Sequence, residues 1–421
     1  MNRQQRRAAA KAGAPGGGGA AAPGGGLFAE AVRHHRAGRL QAAHAICRQL
    51  LALDPGHRDA LHLDGLIACQ LGAPAEGIAL LEKALARGAR DPALHANLAE
   101  ALRSLARLDE AALHYRRAVA LAPNFAAAHA GMGHVLLQQG RHDEAAAAYG
   151  RALALAPGQA AVLNNLGVAL HRLGRLDEAA AAFGQALDAD PGHLDALTNR
   201  GNLLLALGRG DAALASYERA LALNPDHPAA LNNRADLLVE RGRFAEAAAA
   251  FERLLAIAPN YPYALGSLLY ARLHRCDWSD FERLAAGAAE AAAAGRPVAT
   301  PSALVCLSDS AAAQLACARI FAADKHPAAA QPLWRGERYA HQRIRVAYIS
   351  ADFRRHPVGY LVAGLFAAHD RARFAITALS TGPDAKDDLR ARFEASAERF
   401  VDVRGRSERE VAQLVRELEI D

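Results

Sequence analysis

Apolar and polar positions along this chain repeat with a period of 34 residues between Gly24 and Asn260, which gives about seven copies of one unit. Two residue types mark the period most clearly. The aromatic series is Tyr115, Tyr149, Phe183, Tyr217 and Phe251, and the alanine series is Ala111, Ala145, Ala179, Ala213 and Ala247. A fixed period of this length predicts a stack of identical helical units rather than a globule with one central core.

Proline and glycine keep the same period. The prolines are Pro55, Pro123, Pro157, Pro191, Pro225 and Pro259, with Ala89 in the one skipped position. A glycine series is Gly65, Gly133, Gly167 and Gly201, with Ala99 and Ala235 at the equivalent sites. The order of glycine, alanine, aromatic and proline is the tetratricopeptide pattern of two antiparallel helices, A and B, per repeat. The fold class is therefore mainly α, an α-solenoid. Proline ends helix B, and a second glycine series allows the turn between A and B: Gly38, Gly72, Gly140, Gly174, Gly208 and Gly242.

One polar series lies on helix A, at Asn97, Asn165, Asn199 and Asn233, and is interrupted by Gly131. We call these four residues the asparagine ladder. Helix A lines the concave wall of such a solenoid, and an amide offers both a donor and an acceptor to the backbone of an extended peptide. Two interpretations stay open: a peptide-binding wall, or a solvated polar face. The neighbouring series carries no basic residue, which disfavours a clamp for an acidic chaperone tail: Ala96, Ala130, Asn164, Thr198 and Asn232.

Composition adds a few constraints. The net charge is +5, but four basic residues lie before residue 27, so the rest of the chain is nearly neutral and nucleic-acid binding is not expected. The five cysteines show no disulfide or metal-ligand spacing, so we predict no metal site and a cytoplasmic location. Cys47 falls in the aromatic position of the first repeat and is expected to fill the core. No secretory signal or membrane span is predicted.

Domain boundaries follow from changes in this pattern. Residues 1–26 form a low-complexity arm that we predict to be disordered, and the repeats occupy 27–261. After Pro259 the period fails, and we predict a helical cap and linker over 262–341, including the turn Arg296–Pro301. Residues 342–421 alternate apolar strands with helices, which predicts three parallel β-α units. Three units make the first half of a Rossmann-like α/β domain.

The loop Ser350–Pro357 follows the first strand, where open α/β sheets place their ligands. Its acid/base candidates are Asp352 and His356, although a histidine in such a loop is more often an ordinary surface or cap residue. Arg354 and Arg355 either meet phosphate or face solvent. No G-x-G-x-x-G fingerprint is present, so a nicotinamide or flavin cofactor is not expected.

These features together resemble the O-linked N-acetylglucosamine transferase family of glycosyltransferases. The resemblance rests on the repeats with their ladder, on Cys276-Asp277-Trp278, and on the sequence Arg-Val-Ala-Tyr-Ile-Ser-Ala-Asp-Phe followed by His356-Pro357. It implies a GT-B catalytic region of two Rossmann-like halves, with UDP-N-acetylglucosamine bound mainly in the second. It also implies that the repeat groove holds the protein substrate and that His356 is the candidate base. Asp352 is expected to support the loop.

The implied reaction is an inverting transfer of a sugar to a serine or threonine hydroxyl, with no cofactor besides the donor UDP-N-acetylglucosamine or a related nucleotide sugar. Because the donor site belongs mostly to the second half, we expect this chain to be inactive alone. The alternative is a non-catalytic binding scaffold. A reading frame that continues past Asp421 into a second half would favour the enzyme, and a stop codon there the scaffold. The sugar, the acceptor proteins and the oligomeric state stay open.

Overall fold

The computed structural model describes residues 25–88, 90–328 and 332–421. The predicted arm lies outside the described residues except for its last two positions, which begin the first helix, and Ala89 of the proline series lies outside them too. The described chain divides into two compact units, one ending at Ile320 and the other beginning at Phe321.

The first unit contains seven helix pairs in its described part, as the 34-residue period predicts. The A helices are α1 (Gly25–Arg36), α3 (Arg58–Gln70), α5 (Pro92–Ser104), α7 (Ala126–Gln138), α9 (Ala160–Arg172), α11 (Leu194–Ala206) and α13 (Pro228–Glu240). The B helices are α2 (Leu40–Leu53), α4 (Pro74–Ala86), α6 (Leu108–Leu121), α8 (His142–Leu155), α10 (Leu176–Ala189), α12 (Gly210–Leu223) and α14 (Phe244–Ile257). The α-solenoid prediction is confirmed.

In the fourth, fifth and sixth pairs the core contains a close contact between a glycine and the aromatic residue of the same repeat. A β-carbon at Gly167 would lie 2.6 Å from Cε1 of Phe183, so only glycine lets helix A approach the ring this closely. Phe183 is fully buried. Cys47, at the aromatic position of the first repeat, is also fully buried, which confirms the prediction that it fills the core.

The turns between A and B use the left-handed backbone conformation. The second glycine series has φ between 70° and 87° at all six positions. The third repeat places Ala106 at the same position with φ 57°. Because an L-residue with a β-carbon is strained in this region, Ala106 stores backbone strain that its six counterparts avoid.

Four further helices follow the repeats: α15 (Ala264–Leu273), α16 (Phe281–Ala293), α17 (Pro301–Leu307) and α18 (Ala311–Lys325). The sequence did not predict α17, since Pro301 was assigned to a turn. Pro301 instead occupies the first turn of a short helix, where its missing N–H is not needed. The side chain of Thr300 caps this helix by accepting a hydrogen bond from the Ala303 amide at 3.3 Å.

The second unit has the predicted three β-α units: β1 (Ile344–Ser350), α19 (Pro357–Ala368), β2 (Phe374–Ser380), α20 (Asp388–Ser396), β3 (Arg399–Asp402) and α21 (Glu408–Glu417). The strands are parallel in the order β1-β2-β3, with Ile344 opposite Phe374. A cluster of aromatic side chains, including Phe353, Phe366 and Phe393, fills the core of this unit. A partial Rossmann-like domain is confirmed.

We predict that Ala106→Gly raises the free energy of unfolding by up to about 1 kcal/mol, since glycine adopts this backbone conformation without strain. The matched control, Gly140→Ala, introduces the same strain in the next repeat and should lower stability by a comparable amount. Urea unfolding followed by circular dichroism measures both. Equal responses of the two variants would contradict the assignment of strain to Ala106.

Candidate functional site

The four asparagines of the ladder lie at the same position of successive A helices, and each is half-buried. Each side-chain amide nitrogen reaches a residue on the preceding A helix. The contacts are Asn97 to His62 (2.8 Å), Asn165 to His134 (2.6 Å), Asn199 to Asn164 (3.0 Å) and Asn233 to Asn202 (2.8 Å). The ladder therefore connects neighbouring repeats along the helix A wall, a role that the sequence alone did not indicate.

A second series on helix A completes this wall, and sequence reasoning missed it. Its members are Glu100, His134, Val168, Asn202 and Asp236, again 34 residues apart. We call these residues the acceptor series. The shared period was the signal that could have revealed the series, but the mixture of residue types concealed it.

In three repeats the residue of the acceptor series matches the choice between tyrosine and phenylalanine. The Tyr115 hydroxyl donates to Glu100 at 3.0 Å, and the Tyr217 hydroxyl donates to Asn202 at 2.7 Å. Where the acceptor is replaced by Val168, the aromatic residue of that repeat is Phe183, which has no hydroxyl. Two repeats depart from this pairing. His134 already accepts from Asn165, and the buried Tyr149 hydroxyl has no hydrogen-bond partner among the described residues. The seventh repeat combines Phe251 with the polar Asp236.

The interruption of the ladder at Gly131 also has a steric cause. A β-carbon at Gly131 would overlap the ring and hydroxyl of Tyr115, so an asparagine does not fit there while Tyr115 donates to Glu100. Burial raises the pKa of the Glu100 carboxyl, but the hydrogen bonds from Arg103 and Tyr115 outweigh burial and hold that pKa below its ordinary value. Glu100 is therefore an ionised acceptor at neutral pH.

The loop Ser350–Pro357 joins the carboxyl end of β1 to α19, as predicted. Two backbone contacts hold its start, since Ser350 Oγ accepts from the Asp352 amide (3.0 Å) and the Ser350 carbonyl from the Thr381 amide (3.1 Å). Phe353 is 2% exposed and anchors the loop in the aromatic core, with ring centroids 5.0 Å from Phe393 and 5.6 Å from Phe366.

The anchored Phe353 leaves the neighbouring polar side chains near the surface. The side chains of Asp352 and His356 are 25% and 35% exposed, and His356 Nδ1 lies 3.4 Å from Asp352 Oδ2. The same Nδ1 lies 3.3 Å from the Val358 amide nitrogen and caps α19. The two contacts require opposite protonation of Nδ1, because the amide needs a lone pair and the carboxylate needs a proton.

The two loop arginines are paired with acids. The Arg354 guanidinium lies 3.6 Å from Asp352, and Arg355 Nε donates to Asp388 at 2.7 Å. The Arg355 amide also donates to Asp387 at 2.9 Å, which ties the loop to the start of α20. Hydrogen bonds from the Arg355 and Arg390 amides hold the pKa of Asp387 below its ordinary value, so this anchor is ionised at neutral pH.

Two general features concern the rest of the described chain. No described helix combines the length and apolar character needed to cross a bilayer. Over residues 25–88, 90–328 and 332–421, no three histidine, cysteine, aspartate or glutamate side chains are arranged to hold a metal ion.

Comparison with known families identifies both parts of the chain. Tetratricopeptide repeat models match residues 28–92, 131–193 and 198–262, and a TPR repeat model matches residues 99–140. A model of glycosyl transferase family 41 matches residues 309–415, which include the loop Ser350–Pro357. The chain is 28% identical over 74 residues to a probable UDP-N-acetylglucosamine–peptide N-acetylglucosaminyltransferase, SEC, from Arabidopsis thaliana. The matching segment covers 18% of this chain and 8% of that relative.

Solved structures also resemble the chain. They include pilF of Pseudomonas aeruginosa (19% identity, TM-score 0.46, 51% of this chain and 97% of that one). A tetratricopeptide repeat protein from Parabacteroides merdae gives 16% identity and a TM-score of 0.49 over 59% of this chain and 98% of that one. YrrB, described as a TPR protein with an unusual peptide-binding site, gives 20% identity and a TM-score of 0.39 over 45% of this chain and 97% of that one.

The chain therefore combines tetratricopeptide repeats with a segment that matches glycosyl transferase family 41. Together with the plant relative, these two matches support the predicted resemblance to the O-linked N-acetylglucosamine transferases that carry tetratricopeptide repeats.

We predict opposite effects of removing two tyrosine hydroxyls. Tyr217→Phe should lower the free energy of unfolding by about 1 kcal/mol, because Asn202 loses a hydrogen-bond donor. Tyr149→Phe should leave stability unchanged or raise it, because the variant removes a buried hydroxyl that has no partner. Urea unfolding of the two variants beside the parent chain measures this difference. Equal losses in both would show that the acceptor series does not decide the aromatic residue.

Proposed function

We propose that this chain contributes the acceptor-binding array and the first catalytic half of a protein O-glycosyltransferase. The enzyme transfers a sugar from UDP-N-acetylglucosamine or a related nucleotide sugar to a serine or threonine hydroxyl of a bound polypeptide. The observation that carries the proposal is the occurrence in one chain of a repeat array and a family 41 segment. The matching segment of the chain covers only 8% of the length of the curated relative, so substrate and acceptor belong to the proposal.

His356 is the proposed base. When Nδ1 carries its proton toward Asp352, the Nε2 lone pair is free to accept the proton of an acceptor hydroxyl. The hydroxyl oxygen then bonds to the anomeric carbon while the bond from that carbon to the UDP oxygen breaks, and UDP leaves with the electron pair. Because the hydroxyl is a far weaker acid than an imidazolium, positioning of the two substrates has to supply much of the rate.

Asp352 is the proposed positioning residue for this histidine. Its carboxylate favours the tautomer with a proton on Nδ1, in competition with the Val358 amide that favours the other. The diphosphate of the donor needs cationic side chains or helix N-termini. Arg354 and Arg355 are paired with Asp352 and Asp388, so we do not assign the diphosphate to them.

The ladder is the proposed wall for the acceptor polypeptide. Each side-chain amide donates one N–H to the preceding repeat, and this hydrogen bond fixes the side chain in one orientation. Within the described chain, the carbonyl oxygens of Asn97 and Asn199 have no donor, so they are available to backbone N–H groups of an extended peptide. The carbonyl oxygens of Asn165 and Asn233 already accept from Asn164 (3.3 Å) and Asn232 (3.4 Å).

We predict that His356→Asn in the protein encoded by the complete reading frame lowers sugar transfer by about 10²- to 10⁴-fold. Asparagine keeps the cap of α19 but cannot take a proton at neutral pH, so the fold should be unaffected. Release of UDP from UDP-N-acetylglucosamine and from UDP-glucose, with a pool of serine/threonine peptides as acceptors, measures the rate.

His356→Ala serves as the matched variant that removes both the cap and the base. Transfer by His356→Asn within a few fold of the parent rate would contradict the assignment of the base. If the parent protein transfers no sugar from either donor, the binding-scaffold alternative is favoured.

We predict that changing Asn165, Asn199 and Asn233 together to alanine weakens capture of extended serine/threonine peptides tenfold or more. Each of these three amides has a second N–H group that can donate to a peptide carbonyl, and three hydrogen bonds at about 0.5–1.5 kcal/mol each correspond to that loss. Fluorescence anisotropy with a labelled peptide pool measures capture, and circular dichroism checks that the array stays folded. Asn124→Ala, in the exposed loop before α7, is the control for a lost surface amide. Unchanged peptide capture by the triple variant would show that the ladder only connects the repeats and does not bind the peptide.

A further inference from the structure

The side-chain amides of the ladder form hydrogen bonds with two kinds of partner. In the third and fifth repeats the partner is a histidine, and in the sixth and seventh it is another asparagine. The histidines stand at positions that carry asparagine elsewhere in the same chain: His62 is equivalent to Asn164, and His134 to Asn202. The same hydrogen bond is therefore made to a titratable acceptor in the third and fifth repeats and to a neutral acceptor in the sixth and seventh.

From this juxtaposition we propose that the first half of the ladder is a proton-sensitive wall, in which protonation of His62 and His134 reverses the side-chain amides of Asn97 and Asn165. In the present arrangement each asparagine donates an N–H to the unprotonated Nε2 of its histidine. A protonated Nε2 is itself a donor, so the two N–H groups would face each other across 2.8 Å and 2.6 Å. Rotation of the amide by half a turn restores the hydrogen bond, with the asparagine oxygen accepting from the ring.

The reversal changes what the wall presents to a ligand. Asn97 offers an acceptor before the rotation and an N–H group after it. Asn165 also loses the hydrogen bond that its oxygen accepts from Asn164 at 3.3 Å. A wall that recognises backbone N–H groups at high pH would therefore recognise carbonyl groups at low pH in the same repeats. This consequence for peptide capture rests on the proposed function, whereas the rotation itself does not.

Neighbouring charges set the pH at which the rotation occurs. Burial lowers the pKa of His134, and Arg103 lowers it further while Glu100 opposes them. Around the ring of His134, α5 contributes Glu100 and Arg103, and α8 contributes Tyr149 at 5.5 Å between ring centroids. Burial also lowers the pKa of His62, with Asp91 and Asp59 raising it and Arg58 lowering it.

The sign of the effect follows from these directions. Both histidines have a lower pKa in the folded chain than the ordinary 6.5, so the folded state binds fewer protons than the unfolded state below that pH. The stability contributed by the two contacts is therefore complete above pH 6.5 and declines as the pH falls. Asn164 and Asn202 do not titrate. Burial, however, raises the pKa of Asp236 to about 6, and the Asn232 side-chain amide donates both to Asp236 (2.8 Å) and to the oxygen of Asn233 (3.4 Å). Asn199 is therefore the ladder residue that serves as the pH-independent reference.

Selective ¹⁵N-asparagine labelling of the full chain tests the proposal directly. The chain contains few asparagines, and single substitutions to alanine assign the side-chain amide resonances of the ladder. Between pH 7.5 and 5.0 we expect the Asn97 and Asn165 resonances to shift, while that of Asn199 stays in place. Asn233 is not used as a reference, because Asn232 joins it to Asp236, which titrates in this range. His62→Asn and His134→Asn, which copy the partners used later in the same chain, should each abolish the shift of the asparagine opposite.

Two outcomes would overturn the proposal: resonances of Asn97, Asn165 and Asn199 that shift alike, or no shift at Asn97 and Asn165 while circular dichroism shows the chain to be folded at pH 5.0. Persistence of the shifts in the two histidine variants would do the same. Anisotropy with the labelled peptide pool at both pH values then tests the consequence for capture. Shifting amides without any change in capture would preserve the switch and count against the proposed role of the ladder in binding.

Discussion

The hydrogen bonds that join four of the A helices (α5, α9, α11 and α13) to the A helix before them are the interactions on which the proposed acceptor site depends. A solenoid buries apolar surface between neighbouring units, and that burial alone would allow the A helices to slide or rotate slightly against one another. A polar side chain that donates one N–H across the interface between two A helices gives the helix A wall a defined register. The same side chain then presents its remaining polar atom in a fixed direction, which is the condition for recognising an extended backbone at low entropic cost.

This arrangement explains why individual repeats differ from the consensus. Tyr115 occupies the space that an asparagine at Gly131 would need, so one rung of the ladder is absent where a tyrosine donates to Glu100. Val168 and Phe183 form an apolar pair where neighbouring repeats use a polar acceptor and a tyrosine. These two departures from the repeat are therefore coupled pairs of residues that match polar groups with polar groups, whereas Tyr149 and Phe251 do not follow this coupling.

Much of the fold could be predicted from sequence, for physical reasons that differ between the two units. A period of 34 residues determines helix pairing because each repeat can bury its apolar face only against its neighbours. In the second unit, an apolar run such as Phe374–Ser380 indicates a buried parallel strand, and the structure forms β2 over these residues. The short helix α17 was missed because proline at a first helical turn and proline in a loop look alike in sequence.

The site was less predictable, since its contacts join residues far apart in the chain. The pairing of Asn97 with His62 spans 35 positions, and a series with mixed residue types does not look conspicuous in sequence. The loop could be located after β1, but the competition of Asp352 and the Val358 amide for Nδ1 of His356 is visible only in three dimensions.

Photo-crosslinking tests most directly the claim that polypeptide acceptors lie along the helix A wall. A serine/threonine peptide carrying a benzophenone would be bound to the full chain, irradiated and mapped by mass spectrometry. We expect crosslinks to be confined to the A helices that carry the ladder, namely α5, α9, α11 and α13. Crosslinks confined to the B helices, with the A helices unlabelled, would contradict it.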